Sequence, residues 1–353
     1  MKPYGLIVVE DGVRCRLGNG AVRGQALEPV ANRPIVDHVL DALQQAGVEE
    51  VLVACSTDLS HDIRESLRAR ESGDGPAIKY LEHDAPLEVG EALQIAAPVL
   101  GDSPCIVHVA SGLLDEPLGP LVAELSDTPD VMLLLHQAGS DDENLCAATQ
   151  EMLHLAALSA EHALGMAGVW VFGRGALRLA AASPSSLRGG ADLTMLGERI
   201  TAAGGNFQVN VVDSWRQYRG DPLDLLELNR VVLDRLDAGL RRSSNNGNRI
   251  EGRVSIHESA SVHASVIVGP TVIGPGARIT DSYIGPYTSI GERARVEGAE
   301  VERSIISSGA SVMHVGGRLV ASVVGRDARV FRDFSLPRAL RLRVGDGTEV
   351  ALC

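Results

Sequence analysis

Positive charge is scarce in this sequence. Its 353 residues include 32 Lys and Arg against 46 Asp and Glu, which gives a formal net charge of −14 at pH 7. Nucleic-acid binding needs a basic face that neutralises phosphates, so we expect no nucleic-acid partner. Long apolar runs are missing as well, because the first one, LIVV, is followed at once by Glu10 and Asp11. We therefore expect neither a signal peptide nor a membrane partner.

Paired cysteines are also missing. The five cysteines are odd in number, widely spaced and never in a CxxC pair: Cys15, Cys55, Cys105, Cys146 and Cys353. This distribution is typical of reduced thiols, most of them small buried side chains. It predicts a cytoplasmic protein without a disulfide framework.

Two patterns of hydrophobic residues divide the chain. Residues 1–240 alternate short apolar runs with amphipathic stretches, which indicates an α/β domain with a mostly parallel sheet covered by helices on both faces. The polar segment RRSSNNGNR at 241–249 has no apolar periodicity and is interpreted as a linker. Residues 250–353 form the second predicted domain. Two domains are expected because 353 residues are more than a single hydrophobic core usually serves.

The second domain carries a hexapeptide repeat. Aliphatic residues recur about every six positions, at Ile256, Val262, Val268, Ile273, Ile279, Ile284, Ile290, Val296, Val301, Ile306, Val312, Val324 and Val330. Small residues follow several of them, as in IGPGAR and IGERAR. This period predicts a left-handed parallel β-helix with the aliphatic side chains pointing inward.

Three stretches match a known family in chain order. They are ALEPVANRPIVDHVL (26–40), VVDSWRQYRGDPLDLLELNRVVLDRL (211–236) and the repeat from residue 250, including GPYTSIG (285–291). They resemble the long-form glucose-1-phosphate thymidylyltransferases, which are sugar nucleotidyltransferases. The resemblance implies a Rossmann-like domain that joins a sugar 1-phosphate to a nucleoside triphosphate, releases pyrophosphate and uses Mg²⁺ held by two aspartates.

The loop after the first strand departs from the family's Gly-Gly-x-Gly-Thr-Arg-Leu motif. The residues at those places are Asp11, Gly12, Val13, Arg14, Cys15, Arg16 and Leu17. Backbone N–H groups of such a loop must approach the triphosphate closely, and a carboxylate there repels it. Gln25 stands where the family has a lysine, which removes a cation that would neutralise phosphate charge.

Further departures affect the metal and the base. By the resemblance, Ser111 and Tyr218 stand where the family has its two metal-binding aspartates, and His83 replaces the glutamine that reads the pyrimidine. The lysine-containing segment that would bind the sugar phosphate has no match in residues 153–167. Because Mg²⁺ prefers carboxylate and phosphate oxygens, the sequence predicts no metal site and no cofactor.

Polar residues remain at the mouth of the expected nucleotide cleft. The candidate cleft residues are Arg14, Arg16, Gln25, Glu82, His83, His108, Ser111, Asp192 and Tyr218, with Asp11 and Gly12 as a remnant of the loop. Three of them, Arg16, His83 and Tyr218, are expected to face a cleft at the carboxyl ends of the strands, where a small anionic or aromatic ligand could bind. Alternatively, His108 is a core residue and the arginines are solvated.

Several functions are open at this point. The departures favour a protein that has lost Mg-dependent nucleotidyl transfer, either a non-catalytic scaffold or a metal-independent enzyme that uses the old nucleotide cleft. The alternative is an active thymidylyltransferase-like enzyme with an atypical site. A hexapeptide acyltransferase is disfavoured, because no long loop interrupts the coils. We also expect a homo-oligomer through the β-helix, whose open coil edges need cover.

Overall fold

A computed structural model describes most of the chain. It covers residues 2–10, 24–84, 87–123, 130–137, 164–182, 190–212, 214–236 and 247–334. The described residues fold as two compact units, one comprising 2–10, Gly24–Leu27 and Ile35–Gln217, the other Glu28–Pro34 and the residues from Tyr218 onward. The predicted boundaries at 240 and 250 stay a prediction. No helix in these described ranges is long and apolar enough to cross a membrane.

The first unit contains a seven-stranded sheet. Its strands and the two short pairs that accompany them are β1 (Tyr4–Val8), β2 (Pro29–Val30), β3 (Arg33–Pro34), β4 (Glu50–Ser56), β5 (Ala77–His83), β6 (Cys105–Val109), β7 (Gly112–Leu114), β8 (Val131–Gln137), β9 (Leu164–Phe172), β10 (Phe207–Val211) and β11 (Trp215–Gln217); of these, β2 and β3 belong to the second unit. The sheet order is β10-β8-β9-β6-β1-β4-β5, and only β9 runs antiparallel to its neighbours.

Helices connect the strands of the first unit. They are α1 (Ile35–Gln45), α2 (Thr57–Glu71), α3 (Val89–Leu100), α4 (Leu118–Ala123), α5 (Ala176–Ala181) and α6 (Gly190–Ala202). A further helix, α7 (Pro222–Asp234), belongs to the second unit. All five residues of the central strand β6, CIVHV, are buried, four of them apolar and the fifth His108. Continuous burial of this kind requires cover on both faces, so the predicted α/β architecture is confirmed.

The second unit contains the β-helix. Fifteen short strands form three parallel five-stranded sheets: β12 (Arg249–Glu251), β15 (Val266–Val268), β18 (Tyr283–Ile284), β21 (Glu300–Glu302) and β24 (Arg318–Val320); β13 (Val254–Ile256), β16 (Thr271–Ile273), β19 (Thr288–Ile290), β22 (Ile305–Ile306) and β25 (Val323–Val324); β14 (Ser261–His263), β17 (Arg278–Thr280), β20 (Arg295–Glu297), β23 (Ser311–Met313) and β26 (Arg329–Phe331). Every third strand in the chain therefore pairs with its predecessor one coil earlier. The predicted left-handed β-helix is confirmed.

The repeat produces three aliphatic ladders inside the β-helix. One of them runs through Ile256, Ile273, Ile290, Ile306 and Val324, each opposite the next in register. A second ladder runs through Val262, Ile279, Val296, Val312 and Val330. Side chains in the middle coils are fully buried, so apolar burial is the main stabilising contribution in each coil.

The third ladder corrects one residue of the predicted repeat. Its members are Ile250, Ile267, Ile284, Val301 and Leu319. Val268, predicted to point inward, is only half-buried, whereas Ile267 is fully buried. The step from Val262 to the next inward residue is five rather than six. Since side chains alternate along a strand, this one-residue shift turns Val268 away from the core.

Candidate functional site

Parallel strands of the first unit end together at one edge of the sheet. Val8 of β1 lies opposite both Ala54 of β4 and Val109 of β6, while Ser56 lies opposite His83 at the end of β5. Ser56 and Ser111 are each two residues beyond that level. The carboxyl ends of β4, β5 and β6 therefore bring Ser56, His83 and Ser111 to the same edge, where ligands bind in open α/β sheets.

Ser111 is held at this edge by an amide. It lies two residues after β6, is 3% exposed, and its Oγ accepts a hydrogen bond of 3.0 Å from Nε2 of Gln217. The two residues meet because β11 pairs antiparallel with β7, placing Gln217 opposite Gly112. Sequence reasoning did not identify Gln217, since a contact across 106 residues leaves no local pattern.

Glycines make room for the indole of Trp215 beside this pair. A Cβ atom on Gly112 would lie 2.5 Å from Cζ2 of Trp215 and 2.7 Å from the carbonyl oxygen of Arg216. A Cβ atom on Gly168 would lie 3.0 Å from the same indole carbon. The two distances from Gly112 are far below ordinary contact, so the ring and the backbone of Gly112 are in direct contact.

Adding one methyl group at Gly112 should therefore disturb this contact. We expect Gly112→Ala to lower the free energy of unfolding by about 1–2 kcal/mol and to change the tryptophan fluorescence, because the ring and the β11 backbone must both move. Gly119→Ala is the matched control, since a Cβ atom there meets nothing within 4 Å in the part of the chain that the structure describes. Denaturant unfolding of both variants measures the difference, and equal stabilities would contradict the described packing.

His108 lies against the same indole. Its ring centroid is 5.6 Å from that of Trp215, and its Nδ1 lies 2.8 Å from the carbonyl oxygen of Val109, to which it donates a hydrogen bond. The imidazole is 1% exposed, and burial lowers its pKa from 6.5 to about 4. His108 is therefore neutral at pH 7, with an unprotonated Nε2 that has no partner among the described residues. This placement agrees with the core alternative.

Two further candidates, Glu82 and His83, are consecutive residues of β5 with different neighbours. Glu82 accepts hydrogen bonds from Ser60 at 2.5 Å and from Arg64 at 2.8 Å, both on α2. The Ser60 hydroxyl and then the Arg64 guanidinium lower the pKa of Glu82. This carboxylate is thus engaged with α2, whereas His83, the next residue, is half-buried at the end of the strand.

The remaining candidates are distributed over both units or lie outside the described residues. Gln25 is 7% exposed in the 3-10 turn Gln25–Leu27, and Asp192 lies in α6 with its side chain outside the described part. Tyr218 is 2% exposed and belongs to the second unit. Asp11, Gly12, Arg14 and Arg16 fall outside the described ranges. That Arg16, His83 and Tyr218 face one cleft stays a prediction.

The family resemblance implies a Mg²⁺ ion held by two aspartates. By the same resemblance, Ser111 stands at the position of one of them, so its chemistry can be compared with what the ion needs. The Ser111 hydroxyl is neutral and already accepts the Gln217 amide proton, whereas Mg²⁺ favours carboxylates. Among the residues that the structure describes, no group of three or more His, Cys, Asp or Glu could hold an ion. The described residues at this place therefore do not fit the ion.

Comparison with known proteins places these features in a family. No protein-family model matches the chain. A glucose-1-phosphate thymidylyltransferase of Streptomyces griseus is 30% identical over 330 residues, 91% of each chain. Its namesake from Streptomyces antibioticus is 28% identical over 342 residues, and a low-salt glycan biosynthesis nucleotidyltransferase of Haloferax volcanii is 28% identical over 338; both comparisons cover 92% of this chain and 93% of the relative.

A solved structure supports the fold. A glucose-1-phosphate thymidylyltransferase candidate from Bacillus anthracis, in complex with sucrose, superposes with a TM-score of 0.51. It is 17% identical and covers 64% of this chain and 93% of its own. At 17% identity, this similarity supports the fold only.

The relatives correct the functional prediction. The motif departures favoured a protein that has lost nucleotidyl transfer and acts as a scaffold or in a metal-independent reaction. This prediction was wrong, because relatives named glucose-1-phosphate thymidylyltransferase match nine-tenths of the chain. Many groups together stabilise the transition state of such a reaction. Differences at individual motif positions therefore do not establish that the reaction is lost. The active alternative is the better supported. The chain belongs to the glucose-1-phosphate thymidylyltransferase family of sugar nucleotidyltransferases.

Proposed function

We propose that the protein transfers a nucleotidyl group from a nucleoside triphosphate to a sugar 1-phosphate. An oxygen of the sugar phosphate attacks the α-phosphorus, the bond to the β-phosphate oxygen breaks, and pyrophosphate leaves. The observation that carries the proposal is 30% identity over 91% of the chain to a named thymidylyltransferase. Glucose 1-phosphate and dTTP are accordingly the first substrates to test.

The Ser111–Gln217 pair supplies the substrate contact that this proposal assigns. The pair is neutral, lies at the carboxyl end of the central strand β6, and presents a hydroxyl and an amide that can donate and accept hydrogen bonds. Such groups suit sugar hydroxyls and phosphate oxygens. Binding and orientation of the sugar phosphate are the contributions that we assign to this pair.

Assembly and location are part of the same proposal. A homo-oligomer formed through the β-helix is supported by exposed aromatic side chains near the last described coil, Phe331 at 53% and Phe334 at 67% exposed. A cytoplasmic location is supported by the buried cysteines Cys55 and Cys105, neither of which is in a disulfide, and by the nucleoside triphosphate that the reaction consumes.

Replacing Ser111 tests the assigned contact. With glucose 1-phosphate, dTTP and MgCl₂, we expect pyrophosphate release well above the enzyme-free rate, and about a ten-fold lower kcat/KM in Ser111→Ala, because Gln217 loses its acceptor and the substrate loses a hydroxyl. Ser322→Ala is the control, a β-helix serine that bonds the Val320 carbonyl. Equal kcat/KM in Ser111→Ala and the control would reject the assigned contact.

A further inference from the structure

A short hairpin from the N-terminal half of the chain belongs to the second unit. β2 and β3 pair antiparallel, with Val30 opposite Arg33, and the turn between them places Ala31 at φ 47° and Asn32 at φ 67°. Glu28–Pro34 groups with the β-helix, whereas Gly24–Leu27 before it and α1 after it belong to the first unit. The chain therefore enters the second unit for seven residues and then leaves it.

Asn229 of α7 is the centre of the bonds that hold this hairpin. It is fully buried, and its Oδ1 accepts from the Ala31 backbone N–H at 2.9 Å and from the Ser289 hydroxyl at 2.5 Å. Its Nδ2 donates to the Tyr287 carbonyl oxygen at 3.1 Å. One buried amide thus joins the hairpin, α7 and a coil of the β-helix, and leaving any of these groups unpaired is costly.

Asn32 makes a second, direct bond between the hairpin and the β-helix. Its Nδ2 donates to the Ile290 carbonyl oxygen at 2.8 Å. The left-handed backbone at Asn32 is one that asparagine tolerates better than most residues. Two asparagines, distant in sequence, therefore fix the same turn to the same coil.

The hairpin is close in sequence to a candidate substrate residue. Gln25, predicted to stand at a phosphate-binding position, lies four residues before Pro29 in a 3-10 turn. That turn closes with the Leu27 N–H donating to the Gly24 carbonyl, and a Cβ atom on Gly24 would lie 2.9 Å from Leu59 of α2. The chain is thus packed tightly at Gly24 and tied again at Ala31, which leaves little freedom for Gln25.

We propose that Asn32 and Asn229 are positioning residues for the substrate site, through which the β-helix fixes the chain that carries Gln25. This inference rests on the proposed nucleotidyl transfer, with a nucleoside triphosphate as the ligand at Gln25. The β-helix then contributes to nucleotide binding as well as to assembly. Neither asparagine contacts the reacting atoms in this account.

Variants of both asparagines test the proposal. Asn32→Gly keeps the left-handed turn and removes only the bond to Ile290. Asn229→Ala removes all three bonds. We expect the KM for dTTP to rise about five-fold in Asn32→Gly and more in Asn229→Ala, with a smaller change in kcat in both.

A third asparagine supplies the control. Asn248 donates to the Val262 carbonyl at 2.8 Å and accepts from the Ser265 N–H at 3.1 Å, both at the start of the β-helix. Asn248→Ala should lower the Tm at least as much as Asn32→Gly does and leave the KM unchanged. An unchanged KM in Asn32→Gly, or an equal rise in Asn248→Ala, would overturn the positioning role.

Direct binding separates this inference from the proposed function. Calorimetric titration with dTTP is performed on the wild type and the same variants. If the wild type binds dTTP more tightly than Asn32→Gly but shows no transfer, the proposed function fails and the positioning role stands. If the wild type transfers and the two bind dTTP equally, the positioning role fails alone. A wild type that does not bind dTTP overturns both.

Discussion

Gly291→Ala is expected to destabilise the β-helix strongly. Gly291 follows β19, and a Cβ atom there would lie 2.6 Å from the Ser308 backbone nitrogen and 2.7 Å from the Ser307 carbonyl carbon, both on the next coil. Backbone atoms of a stacked coil cannot move aside as a flexible side chain can. We expect the free energy of unfolding to fall by about 3 kcal/mol, measured by denaturant unfolding.

Gly325→Ala is the matched control for this change. Gly325 follows β25 as Gly291 follows β19 in the same sheet, but a Cβ atom on Gly325 meets nothing within 4 Å among the described residues. We expect a change within about 0.5 kcal/mol. Equal losses in the two variants would show that coil-to-coil contact is not what requires glycine at Gly291.

Acidification should lower the free energy of unfolding, because His108 is buried in its neutral form. Its pKa falls from 6.5 to about 4 because burial penalises the charged ring. As the pH falls through 6.5, the unfolded chain takes up the proton first, so this group's stabilisation of the folded state is complete above 6.5 and is lost toward pH 4. The loss between pH 7 and pH 4 amounts to about 3 kcal/mol.

His108→Phe isolates this contribution. Phenylalanine keeps a ring beside Trp215 and cannot titrate, while the other groups of the protein titrate in both chains. When the pH is lowered from 7 to 4, the free energy of unfolding should therefore fall by about 3 kcal/mol less in the variant than in the wild type. Parallel pH dependence of the two proteins would contradict a neutral buried imidazole.

Periodicity explains why so much of the fold could be predicted. Inward residues such as Ile279 and Val296 follow from the six-residue repeat, because a coil repeats the same turn geometry each time. Val268 was assigned wrongly because the repeat shortens to five residues before Ile267. The apolar run of β6 likewise predicted a buried central strand.

The bonds around the site could not be predicted in the same way. Gln217 reaches Ser111 through the pairing of β11 with β7, and Asn229 reaches Ala31 across 198 residues. Local patterns record which face of a strand is apolar, but not which distant amide satisfies a buried group. That Ser111 is a cleft residue stays a prediction from motif comparison, whereas the inference from it and the other departures that the reaction is lost was wrong.

Product identification tests the central claim most directly. The protein is incubated with dTTP, glucose 1-phosphate and MgCl₂, and the nucleotides are separated and identified by mass spectrometry. The account predicts dTDP-glucose and pyrophosphate in equal amounts, formed at a rate proportional to the protein concentration. If neither this sugar nor other sugar 1-phosphates paired with the common nucleoside triphosphates give a nucleotide sugar above the enzyme-free level, the proposed nucleotidyl transfer is wrong.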